Sequence, residues 1–161
     1  VTGVQTCALP ISGAAREAFI AAHRFDLAID LAGAEIVDGS TSGDPENSVR
    51  DLLDRTLAHH VGVAREAGLA LVMYEGGTHV VANPQDHGDA EMVAFFEALN
   101  YSEAMGRAYR VLVQGWQGLT PAPFVAYLDI GRPSVWGSWG HLRHLDDDTT
   151  RWRALMELTA R

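Results

Sequence analysis

The chain has 161 residues, 47% of them hydrophobic and 20% charged, with a formal net charge of −9 at neutral pH. That acidic balance argues against nucleic acid or an anionic membrane surface as a partner. No apolar run approaches the roughly 18 residues a membrane-crossing helix needs.

Residues 1–11, VTGVQTCALPI, match without a gap the translation of a common sequencing-library adapter in one frame, and are expected to be an artefact. They lack the basic start and continuous apolar centre of a signal peptide. The only cysteine, Cys7, lies in this segment, so residues 12–161 carry no disulfide or cysteine chemistry.

Within 12–161 the first expected element is a short helix at 14–23, AAREAFIAAH. FDLAIDLAG, residues 25–33, reads as a mostly apolar strand. The polar stretch DGSTSGDPEN follows as a loop, with Asp44 as expected helix cap and Pro45 at the first helical position. Val49, Leu52, Leu53, Leu57, Val61 and Ala64 form a helical stripe, and Gly68 is the expected stop. His59 and His60 fall in this helix, where one is expected to face inward as a structural residue.

LALVMY, residues 69–74, is the second expected strand, and it runs directly into Glu75, Gly76 and Gly77. After a loop to Gly88, helical spacing returns in Met92, Val93, Phe95, Phe96 and Leu99. Another helix follows Ser102, with Met105, Tyr109, Leu112 and Trp116 on one face. PFVAYLDI, residues 123–130, is the third strand. A loop rich in Gly and Trp leads to a closing helix over TTRWRALMELTAR, with Trp152, Leu155 and Met156 inward.

Strands alternating with helices imply a parallel sheet joined by crossovers. Both an open doubly wound sheet and a closed barrel use this order. Three strands cannot close a barrel, which needs about 250 residues, so a barrel reading makes the chain a fragment.

YEGGTH at 74–79, WQGL at 116–119 and WGSWG at 136–140 carry a resemblance. In this order and separation they resemble the C-terminal part of bacterial proteins related to clan A glycoside hydrolases, many of them regarded as cellulose-binding or hydrolase-like. The resemblance runs from about Phe25 to Leu158. It implies an α/β fold in which the three strands are about strands 6 to 8 of a (β/α)8 barrel. It also implies a retaining glycosidase mechanism on a β-linked saccharide, with Glu75 matching the nucleophile at the end of the seventh strand. Such a carboxylate works opposite an acid about 5 to 5.5 Å away. The family's acid belongs to the fourth strand, so residues 12–161, one incomplete domain, are expected to be inactive alone. Thr78 stands where relatives usually carry Gln, and Leu31 and Ala32 replace an aromatic pair.

Around Glu75, the Tyr74 hydroxyl is a candidate to orient the carboxylate, and His79 to bond either the carboxylate or a sugar hydroxyl. Asp129 is a candidate for a sugar hydroxyl or a loop cap. Trp136 and Trp139, among glycines and serines, are candidates either to stack on pyranose faces or to plug the barrel mouth. Gly76 and Gly77 are expected to let the backbone approach a sugar.

Glu75, His79, Asp86 and His87 invite a metal reading, but their spacing matches no metal motif. No phosphate-cradling glycine loop and no nucleophile elbow occur. The partner that the resemblance implies is carbohydrate, and no metal, cofactor, nucleic acid or membrane is expected. Two alternatives remain: a carbohydrate-binding barrel without catalysis, and a small α/β domain with a structural role.

Overall fold

A computed structural model describes residues 21–159, with side chains to Leu158. Residues 1–11 and most of the helix expected at 14–23 lie outside the described residues; 21–23 are helical. The fold is mixed α/β, about 54% helical, with one small parallel sheet of two strands.

The first described element corrects the sequence reading. Residues 25–33 form no strand; α1 spans Asp26–Asp38. The segment satisfies two periodicities. Alternation would bury Phe25, Leu27, Ile29 and Leu31, whereas helical spacing buries Ile29, Ala32, Gly33, Ile36 and Val37. The helical set packs on the core, and Leu27 is left 75% exposed. Gly33 permits this packing, because a Cβ there would lie 2.5 Å from the Ala104 Cβ. Gly39, at φ +71°, ends the helix and returns its N–H to Glu35 O.

The next helix, α2, covers 49–66 and contains a π-helical stretch at Leu52–Leu57. Its cap is Ser48, whose side chain accepts the Asp51 N–H. The expected cap, Asp44, instead accepts the Glu46 N–H within the preceding turn. Gly68 terminates α2 as expected: its N–H bonds Arg65 O while the Leu69 N–H reaches Ala64 O, a Schellman pairing. His59 and His60 are both exposed, so neither faces inward.

Strand β1 is Met73–Gly76, displaced toward the C-terminus from the expected 69–74. A 3₁₀ turn at Pro84–Asp86 leads to α3, Ala90–Asn100, capped by Asp89 through Glu91 N and Met92 N. Ser102 caps α4, Glu103–Leu119, as the sequence predicts. Strand β2 is the short Phe124–Ala126, pairing Met73 with Phe124 and Gly76 with Ala126. A bulge in β1 separates these two pairs. Helix α5, Thr150–Thr159, closes the described chain.

The core lies where α4 meets α3 and α5, with Leu99, Met105, Ala108, Tyr109, Val113, Ala154, Leu155 and Leu158 buried together. Burying each large apolar side chain contributes about 1.5 to 3 kcal/mol. Trp116 is buried and its indole N–H donates to Ala122 O, tying α4 to the approach to β2. In α5, Trp152 is half-buried, whereas Met156, expected inward, faces out.

One face of the sheet, carrying Phe124 and Ala126, packs on the helices. The opposite face is open: Tyr74 is 80% exposed, and Val72, Val125 and Tyr127 are exposed with it. No described helix is long and apolar enough to cross a membrane.

Candidate functional site

Glu75 is the penultimate residue of β1 and is exposed. Together with Gly76, Gly77, Thr78, His79, Tyr127 and Trp139 it lines an open depression of about 330 Å³. The site is thus assembled from the C-terminal end of β1, the residue after β2, and the 131–140 loop. No described hydrogen bond or ion pair engages the Glu75 carboxylate, and no other carboxylate lines the depression.

Two glycines shape the strand end, but for packing. A Cβ at Gly76 would stand 2.4 Å from Phe124 Cζ, and one at Gly77, φ +150°, would stand 2.9 Å from the Tyr109 hydroxyl. Both glycines also line the depression, so the absence of a Cβ serves the close packing of Phe124 and Tyr109 behind them while their backbone faces the open side.

His79 and Trp139 form one wall. Their rings stack with centroids 5.6 Å apart and 27° between planes. His79 Nε2 lies 3.1 Å from Trp136 O; since a carbonyl only accepts, Nε2 carries the proton. His87 repeats this arrangement, with Nε2 donating to Ala82 O and its ring meeting Trp136 edge-on at 4.8 Å. Both imidazoles thereby join the 77–88 loop to the tryptophan loop.

Trp139 folds over Gly137, where any Cβ would sit 2.6 Å from its ring. Trp136 stands at the tip of a turn closed by Ser134 and Gly137 backbone bonds and is 63% exposed. One tryptophan therefore lines the depression while the other projects beside it. The glycines and serines that flank them are what allow so tight a turn.

The remaining expected residues lie apart. Tyr74 is outside the depression and makes no described hydrogen bond to Glu75. Asp129 lies three residues past β2; its carboxylate accepts the Ile130 N–H, a local loop cap. Asp86 belongs to the 3₁₀ turn, and among the described residues no group of three or more His, Cys, Asp or Glu is placed to hold a metal.

Beneath the site is a buried polar layer that sequence reasoning missed. His141 is 1% exposed and donates from Nδ1 to Leu128 O at 2.7 Å, leaving Nε2 buried without a partner. Burial pushes its pKa down to about 4. Arg151 is fully buried: one nitrogen donates to Gly140 O, and the guanidinium lies 4.6 Å from the Tyr101 ring centroid. Its Nε and Nη1 have no partner. Tyr109 meets the His141 ring edge-on at 5.1 Å, and burial raises its hydroxyl pKa. A charged arginine in a helix and a histidine in a loop give no sign of burial in the sequence. Tyr127 had a usable signal, since it falls two residues after Val125 within the expected third strand.

The chain matches no protein-family model, no curated protein and no solved structure.

Proposed function

We propose that residues 12–161 are the C-terminal part of a (β/α)8 barrel related to clan A glycoside hydrolases, with β1 and β2 as its seventh and eighth strands. On this reading the intact barrel acts on a β-linked poly- or oligosaccharide by a retaining mechanism. Glu75 is the nucleophile, and Trp139 with Trp136 forms the sugar platform.

The observation that carries the reading is the convergence of Glu75, His79, Tyr127 and Trp139 on one depression at the C-terminal end of a parallel strand pair. Barrel enzymes place their chemistry at that end. A carboxylate free of protein partners is available to attack an anomeric carbon, and a flat indole beside it suits the C–H face of a pyranose. The open apolar face of Val72, Tyr74, Val125 and Tyr127 also fits a sheet that curves around an interior filled by further strands. The sixth strand expected from the sequence has no counterpart in the described fold, where its residues belong to α1.

The single carboxylate in the depression favours a second reading for the chain as it stands, a saccharide binder without turnover. Retaining hydrolysis needs two carboxyl groups. The two readings separate in an intact barrel carrying residues 12–161. Under the enzyme reading, Glu75→Gln lowers hydrolysis of a β-linked oligosaccharide by more than about a thousandfold while binding persists. Undiminished hydrolysis removes Glu75 from the mechanism, and binding without any hydrolysis by the unmutated barrel favours the binder.

A further inference from the structure

The backbone that follows Glu75 is held from below by two buried side chains that do not line the depression. Tyr109, on α4 and 2% exposed, accepts the Thr78 N–H at its hydroxyl, 2.9 Å away. Asn100, the last residue of α3 and equally buried, donates through Nδ2 to Val80 O at 2.7 Å and to Phe96 O at 2.8 Å. Two carbonyls on one nitrogen fix the amide's orientation. Its Oδ1 is left to accept the Thr78 hydroxyl at 3.2 Å, and that hydroxyl oxygen accepts the Val80 N–H at the same distance. The N–H groups of Thr78 and Val80 and the carbonyl of Val80 are therefore all bound to side chains.

The anchor points are themselves fixed. The Tyr109 ring is braced by the edge-on His141 ring, with the Arg151 guanidinium 5.9 Å from its centroid. Gly77 leaves the room its hydroxyl occupies. Asn100 is tied to its own helix through Phe96 O. Between these anchors the chain passes His79 outward to stack on Trp139 and bond Trp136 O.

We infer that Asn100 and Tyr109 are positioning residues for the Glu75 and His79 site, setting the 77–80 backbone on which the stacking of His79 on Trp139 depends. The saccharide role of that site rests on the reading proposed above; the positioning itself does not. Each of these hydrogen bonds adds only a modest net stability to the whole fold, and losing one partner leaves a single loop N–H unsatisfied. Their loss should therefore register in the geometry of the loop more than in the melting of the fold.

The test uses the whole chain with Tyr109→Phe, which removes the acceptor of the Thr78 N–H together with the hydroxyl's interaction with Arg151, and Thr78→Val, which removes the hydroxyl between Asn100 and Val80. Three quantities are read by NMR: exchange of the loop amides, the ring-current shift that Trp139 imposes on the His79 ring protons, and the Kd for cellopentaose. In Tyr109→Phe the Thr78 amide exchanges about tenfold faster, the size of one net hydrogen bond. In Thr78→Val the Val80 amide does the same. In both, the His79 ring shift shrinks and the Kd rises about tenfold, while the melting midpoint moves by a few degrees.

Unchanged exchange and an unchanged His79 shift in both folded variants would overturn the inference. Global unfolding of both variants would also overturn it, since the hydroxyls would then serve the core rather than the loop. If the unmutated chain binds no cellopentaose yet the exchange and the His79 shift respond, the positioning holds and the saccharide reading alone fails.

Discussion

Lowering the pH from 7 toward 4 should destabilise this fold through one side chain, His141. Its ring is buried, Nδ1–H is committed to Leu128 O, and Nε2 faces no partner. Protonating Nε2 would place a second charge beside the buried Arg151 guanidinium with no acceptor to receive the new N–H. Burial is the larger cause, and together these hold the folded pKa near 4 against 6.5 for an ordinary histidine. The folded state thus binds fewer protons than the unfolded chain between these values, so stability is complete above about pH 6.5 and declines as pH falls toward 4. Linkage gives a loss of about 2 kcal/mol between pH 7 and 5, and about 3 kcal/mol by pH 4. The carboxylates held low by their partners, Asp147 by Arg143 and Glu157 by Arg110, lose their contribution only as pH falls below their unfolded values of 3.8 and 4.5. The two windows are therefore distinguishable. Urea unfolding in dilute solution at half-unit pH steps reads the slope directly, and His141→Phe, which keeps the edge contact with Tyr109, should flatten it. Constant stability from pH 7 to 5, or a His141 resonance titrating near 6.5, would refute the reasoning.

Other expectations concern close contacts and the open sheet face. Gly140→Ala should cost about 1 to 3 kcal/mol in urea unfolding, because a Cβ there would stand 2.3 Å from Gly131 N and 2.6 Å from Leu142 O, both backbone atoms. A cost within 0.5 kcal/mol would show that the 131 and 140 segments are not so closely paired. The apolar face of the sheet should bind a reporter dye such as ANS and promote self-association. Replacing the exposed Tyr74 and Val125 by threonine should reduce both without lowering the melting midpoint. An unchanged dye response would mean that this face is covered in solution.

How much was legible in the sequence follows the physics of each segment. Helix α4 was readable because cap, spacing and burial agree: Ser102 caps it, and Met105, Tyr109 and Trp116 all face inward; α3 was readable from spacing alone, its cap Asp89 going unnamed and Met92 of the expected stripe lying exposed. The stop at Gly68 was readable because a glycine is what its left-handed position favours. Residues 25–33 were not, because a short apolar run with aspartates at 26 and 30 fits both periods. What decides between them is tertiary packing, of Ile29, Ala32, Ile36 and Val37 on the core and of Gly33 on Ala104. At the site, Glu75, His79 and Trp139 were named from sequence and do converge. Their supports, Asn100, Tyr109 and His141, come from other elements, and nothing local distinguishes a positioning tyrosine from a core one. Asp129 takes the loop-cap role, one of its two expected ones, but three residues beyond the end of β2 rather than at it.

The most direct test of the central claim is an NMR titration of this chain with cellopentaose, observing the Trp139 indole resonance, with maltopentaose as the α-linked control. A saccharide site at the depression predicts saturable shifts at Trp139 and His79 with the β-linked sugar, weaker with the control, and loss of the His79 shift in Trp139→Ala. No shift at millimolar cellopentaose, or a His79 shift that persists unchanged in Trp139→Ala, would contradict it.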